Sequence, residues 1–294
     1  MPDLTPVSPE RHGARRWRRF SSYAFVQAHP VVPVVLGEHE QVAACLPILF
    51  APQPEKKSDV PPWPVALTRL GAKTALVAGN GVWRGSYVPS ILRVHPFHAR
   101  PTEDGRFALL VDEDSGLVTE DNGDPQDVAF FTADEELTPA LAQVVDFFRN
   151  RVEAETRTRT AMDAIARAGV LEPFIPPEGL SLPVAGLWGV NATALAGLSR
   201  VALADLHRTG ALALAHAALV ARHHLGFLAH AEAQLSRAAA PAPSPVAPSA
   251  EDSALSGFFD ALASAQAQDK AQGLADLFGP GTRPPGDPSG DGRS

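Results

Sequence analysis

The chain has 294 residues, 45% of them hydrophobic and 20% charged, which suits one domain of about 200 residues with appended ends, or two small domains. Twenty-five Lys and Arg against 33 Asp and Glu give a net charge of -8, which argues against a nucleic-acid partner because phosphate tracking needs a net basic face. A single cysteine, Cys45, excludes an intramolecular disulfide and a cysteine-based zinc site.

In chain order, residues 1–22 are polar and rich in Pro and Arg, with the basic cluster RHGARRWRRF, and are expected to be disordered. A domain is expected over 23–237. From Tyr23 to about Thr132, short apolar runs sit between Pro and Gly clusters: VVPVVL, CLPILFAP, PVALTRL, TALVAG, FALLVD and GLVTE. Runs of this length and composition predict strands. Phe107–Asp112 and Leu117–Glu120 flank EDSG, with Gly116 placed for a positive φ, and predict a hairpin. Cys45 sits among apolar neighbours and reads as a buried, inert thiol. The run after Arg19 is broken by Gln27, His29, Pro30 and Pro33, so it is no signal-peptide core. No stretch supplies about 20 uninterrupted apolar residues, so no transmembrane segment is expected. The default location is cytoplasmic, with non-classical export to the cell surface as the alternative.

Helices are predicted over 138–237. Thr138 offers an N-cap hydroxyl and Pro139 a pre-set φ, after which Leu141, Val144, Val145, Phe148 and Val152 recur at helical spacing, to a stop at Gly169. On this long surface helix, Glu153 with Arg157 and Glu155 with Arg159 form i,i+4 pairs. LEPFIPPEG is a turn, LSLPVAGLWGV a strand candidate, and Asn191 or Ser199 caps a helix ending before Gly210. A second helix runs over 211–237. Residues 238–250 (AAPAPSPVAPSA within them) read as a Pro/Ala linker, and the tail 251–294 carries an amphipathic helix over 251–278 with Leu255, Phe258, Phe259, Leu262, Leu274, Leu277 and Phe278 on one stripe. The expected fold class is α+β, with a β-rich N-terminal half and a helical C-terminal half.

The stretch GNGVWRGSYVPSILRVHPF (79–97), taken with PILF (47–50), PVAL (64–67), LLVDEDSGLV (109–118) and DLHRTGALALAHAAL (205–219), resembles the SapC family of bacterial proteins over about 23–231. Ser90, Val94 and Ala221-Arg222 depart from the family's usual residues at those places. The resemblance implies association with a bacterial surface layer and its export. It carries over no reaction, cofactor or catalytic residue.

Chemistry read from the residues is sparse. Trp83 and Tyr87 can form an aromatic platform, with Arg93 and His95 beside them as ligand-binding candidates; the alternative is that they pack a sheet corner. GNGVWRG lacks both phosphate-loop and dinucleotide glycine patterns. His216, His223 and His230 are two turns apart, about 10 Å, too far for one ion, so no metal and no cofactor is expected. The acids of DEDSGLVTEDNGDPQD do not follow a calcium-loop order and read as soluble hairpin ends. Ser86 or Ser90 with His95 and Asp112 makes a triad on paper, without a G-x-S-x-G elbow. A non-enzymatic protein acting through protein contacts, with 251–278 docking a partner, is the leading expectation. The rival is a small-molecule or peptide-binding enzyme, or an accessory to one, using the 83–97 region.

Overall fold

A computed structural model describes residues 4–53, 60–102, 106–120 and 124–239. It has the expected α+β arrangement, sheets in the N-terminal half and helices in the C-terminal half. The strands are β1 (Leu4–Pro6), β2 (Arg15–Arg18), β3 (Val31–Pro33), β4 (Ile48–Ala51), β5 (Trp63–Leu67), β6 (Phe97–Pro101), β7 (Phe107–Asp112), β8 (Val118–Glu120), β9 (Asp127–Ala129), β10 (Leu171–Pro173) and β11 (Trp188–Val190). The α-helices are α1 (Pro9–His12), α2 (His39–Ala43), α3 (Pro139–Ala168), α4 (Ala192–Ala196), α5 (Arg200–Arg208), α6 (Ala211–Ala221) and α7 (His224–Ala239). Short 3-10 helices cover Tyr23–Ala28 and Ser90–Val94.

Three antiparallel sheets result, ordered β1-β7-β6, β8-β2-β9 and β10-β11-β4-β5-β3. The first two share one core of Trp17, Phe97, Val111, Phe130, Leu141 and Phe148. The five-stranded sheet shares the largest core with α2, the second half of α3, α5 and α6, through residues such as Phe50, Leu46, Met162, Ile165 and Leu214. Thirty residues at 1.5 Å each make α3 about 45 Å long. It therefore spans both cores, with Leu141 and Phe148 in one and Met162 and Ile165 in the other.

The N-terminus corrects the expectation of disorder over 1–22. Leu4 to Phe20 are folded, with β1 against β7 and β2 between β8 and β9. Alternation along β2 sends Trp17, 3% exposed, into the core. Three of the arginines find acids: Arg11 and Arg15 pair with Glu113, Arg15 also with Glu120, and Arg18 with Asp124 and Asp127. The acidic segment read as soluble hairpin ends is thus the counter-charge of this basic segment. The hairpin itself is corrected too. Gly116 has φ +72°, but the turn hands the chain from one sheet to another, because β7 is already flanked by β1 and β6. TALVAG forms no strand, only an isolated bridge between Val77 and Trp83.

Thr138 caps α3 and Gly169, at φ +63°, ends it. Arg151, Ala154 and Thr158 lie buried on one face, so α3 is a core helix on that side. Glu155 pairs with Arg151. Asn191 caps α4 and Ser199 caps α5. The helix expected over 211–237 breaks at Arg222 and His223 into α6 and α7. By length and composition alone, Ala211–Ala238 is long and apolar enough to cross a membrane, a stretch the uninterrupted-run criterion passed over. In the fold, Leu214, Ala215 and Ala218 of α6 and Leu225 and Leu228 of α7 are buried, and the buried Glu232 carboxylate accepts backbone N–H bonds from Leu70 and Gly71. Helix α7 takes in Ala238 and Ala239; the rest of the linker and the 251–278 amphipathic helix lie outside the described residues.

Candidate functional site

The motif-rich stretch 79–97 folds around its own aromatic rings. Gly81, at φ +82°, accepts the Tyr23 N–H on its carbonyl at 2.8 Å, and a Cβ there would strike Ser22. Gly85 leaves room for the Trp83 indole, whose Nε1 would lie 2.7 Å from an added Cβ. Trp83 is buried in the largest core and its indole N–H donates to the Tyr87 carbonyl at 3.0 Å. The Tyr87 hydroxyl donates to Glu38 Oε2 at 3.0 Å and accepts from Arg93 at 2.6 Å. Burial, then the Glu38 charge, pushes the Tyr87 phenol up to about 12, so it stays a neutral donor. The Arg93 guanidinium also lies 4.9 Å from the Tyr87 ring centroid.

Glu38 is the hub that the sequence did not announce. It is 5% exposed, and its Oε2 also accepts the Ser90 N–H at 2.7 Å. Arg151, 6% exposed, approaches Glu38 Oε1 at 3.5 Å and donates to Ser90 Oγ at 3.0 Å, the Pro33 carbonyl at 3.2 Å and Glu155 at 3.1 Å. A buried charge pair is tolerable when each member keeps further hydrogen bonds, and both do here. The pair ties α3 to β3, to the loop before α2 and to the 3-10 turn at Ser90–Val94.

Beside this network a cavity of about 480 Å³ opens under α3, where the two sheet systems part. Phe25, Ile91, Phe97, Phe107 and Phe148 give it apolar walls. His29, His95 and His98 line it on the sheet side, and Arg151, Glu155 and Arg159 on the helix side. The His95 ring stacks on Phe25, with centroids 4.0 Å apart and planes at 15°. Burial above all, then the neighbouring imidazoles, lowers His95 to about 4. Burial lowers His98 and His29 as well, against the opposing pull of Asp112. All three are therefore neutral near pH 7 and can donate or accept a proton in a hydrogen bond.

Of the four sequence candidates, Trp83, Tyr87 and Arg93 form one chain of contacts ending on Glu38, while His95 faces the cavity. They do not converge on a single ligand. The paper triad does not assemble: Ser90 Oγ accepts from Arg151, His95 stacks on Phe25, and Asp112 caps its own turn. Among the described residues no group of three His, Cys, Asp or Glu is placed to hold a metal ion. The site residues that the sequence reading missed are Glu38, Arg151, Glu155 and His29. One signal for them was present: Arg151 falls at helical spacing between Phe148 and Ala154 on the buried face of α3, a charge where the period calls for an apolar residue.

No curated protein and no solved structure matches the chain. A SapC family model matches residues 7–228, taking in β2 as well as the stretch 79–97, the Glu38 and Arg151 pair and the cavity beside it. With most of its length matched, the chain belongs to the SapC family.

Proposed function

We propose that the protein acts without catalysis, through contacts, by taking an apolar group of a partner into the cavity beneath α3, and that the setting is the surface-layer assembly or export implied by the family's name. What supports this reading is the make-up of that cavity: ring-lined walls, with Arg151 and Glu155 already hydrogen-bonded to each other, so that it offers burial more than reactivity. The segment 251–278, whose sequence pattern predicts an amphipathic helix, is a second proposed contact. Val152 lines the cavity and is 36% exposed, so Val152→Trp blocks the mouth without entering a core. Retention of surface-layer and export components is compared for the wild type, Val152→Trp and a chain lacking 251–294. Val152→Trp is expected to lose its partner with an unchanged melting temperature. An unchanged partner set for both variants removes the reading.

A second reading, an enzyme or enzyme accessory that holds a small molecule or peptide in the same cavity, is favoured by the three neutral imidazoles on its wall. It requires that His98→Asn abolish turnover of a bound compound while the fold persists; retention of turnover removes it.

A further inference from the structure

We infer that a second cavity, of about 410 Å³ on the far side of His95 and Phe97, is a binding site for a small organic carboxylate with a flat apolar body. His95 and Phe97 line both cavities, but the second is otherwise built from β2 and the turn after it, Arg93, and the first turns of α3. Donors and rings dominate its lining, with Val94, Ala140 and Val144 as the other contacts. Arg19, Arg93, Gln143 and Trp17 line it, and no acidic side chain among the described residues does, in a chain whose net charge is -8.

Three observations point to an anion. Trp17 is 3% exposed and its indole N–H has no acceptor among the described residues, a buried donor that a ligand oxygen would satisfy. Arg19 is exposed and, alone among Arg11, Arg15, Arg18 and Arg19, has no carboxylate partner among the described residues. Arg93 spends its Nε–H on the Val88 carbonyl and one further N–H on the Tyr87 hydroxyl, neither of them an acid. The first turns of α3, with Ala140 and Gln143 in the lining, add the positive end of a 30-residue helix dipole. Size and shape come from Phe20, Tyr23 and Phe97, of which Phe20 meets Tyr23 edge-on at 5.0 Å. One whole guanidinium fork, on Arg19, matches a singly charged carboxylate accepted in a bidentate manner. A doubly charged phosphate calls for a second full guanidinium, and Arg93 has two of its five N–H groups committed.

The test is calorimetric titration of the full chain, at low salt, with benzoate, with its uncharged counterpart benzamide, and with inorganic phosphate. Benzoate is expected to bind saturably, and benzamide and phosphate at least about tenfold more weakly. Arg19→Gln, at an exposed side chain without a carboxylate partner among the described residues, is expected to cost benzoate about tenfold or more in affinity, as loss of a charged hydrogen bond does. Gln143→Glu places a carboxylate in the site and is expected to abolish binding. Because an acid in the first turns of a helix is favourable, its melting temperature should equal or exceed that of wild type, which separates lost binding from lost fold. Val152→Trp, which blocks the other cavity, should bind benzoate as wild type does, so this site and the contact reading above stand or fall separately. The inference is overturned by the absence of saturable benzoate binding, by equal binding of benzamide, by tighter binding of phosphate, or by indifference to both Arg19→Gln and Gln143→Glu.

Discussion

Replacing Glu38 by Gln keeps shape and removes one charge. The amide oxygen can occupy the Oε2 position, where it still accepts from Tyr87 and Ser90, but the amide NH2 must then face the Arg151 guanidinium at the Oε1 position. Donor meets donor, and Arg151, 6% exposed, keeps only Glu155 as an acidic partner on that side. Breaking a buried pair by neutralising one member costs about 3 to 5 kcal/mol. The 3.5 Å separation of the pair and the remaining Glu155 contact place this case at the lower end, about 3 kcal/mol. Arg151→Met alone leaves the Glu38 carboxylate buried with Tyr87 and Ser90, a loss of about 2 to 3 kcal/mol. The double variant removes both charges, so its cost should fall well short of the sum, with a coupling of about 1 to 2 kcal/mol. Urea unfolding followed by tryptophan fluorescence measures all four corners of this cycle. Additive costs, or a Glu38→Gln loss below about 1 kcal/mol, would refute the assignment of the pair as the tie between α3 and the sheet side.

Three further outcomes follow from the geometry. Because the folded protein holds His95 at about 4 while an unfolded histidine titrates near 6.5, the unfolded chain takes up the proton first, so stability is whole above about pH 6.5 and falls as pH drops toward 4, by at most about 3 kcal/mol. His95→Phe should flatten that part of the stability profile, and an unchanged slope would count against a buried neutral imidazole. Trp17→Ala empties a core position between Phe97 and Phe130 and should cost about 3 to 5 kcal/mol in chemical denaturation, where a disordered N-terminus would show no change. Gly81→Ala forces a side chain to φ +82° and against Ser22, and should lower stability by about 1 to 2 kcal/mol from the backbone alone; a neutral result would mean that the turn rearranges.

Features set by a few neighbouring residues were legible in the sequence. Thr138 and Gly169 bound α3 as read, since capping and a left-handed stop are local events. Asn191 and Ser199 each cap a helix for the same reason. Gly116 turns as expected, yet which strands it joins depended on β1, more than 100 residues away in sequence, and was not legible. Composition around Arg11 to Arg19 pointed to solvent because the balancing acids lie at 113–127. The candidate site divided in the same way: the aromatic block at 83–87 stood out, whereas Glu38 and Arg151, 113 positions apart, meet only through the fold.

The pairing of β1 and β2 with strands about a hundred residues downstream has a bearing on how the chain is made. At about 5 to 20 residues per second, the ribosome needs roughly 5 to 20 s after releasing Arg15 to deliver Glu120. During that interval Trp17 and the strand edges beside it lack every partner they have in the finished protein, a window in which newborn chains can associate with one another. Slowing elongation between 20 and 107 should lengthen the window and lower the soluble yield, whereas delays after residue 130 should leave it untouched.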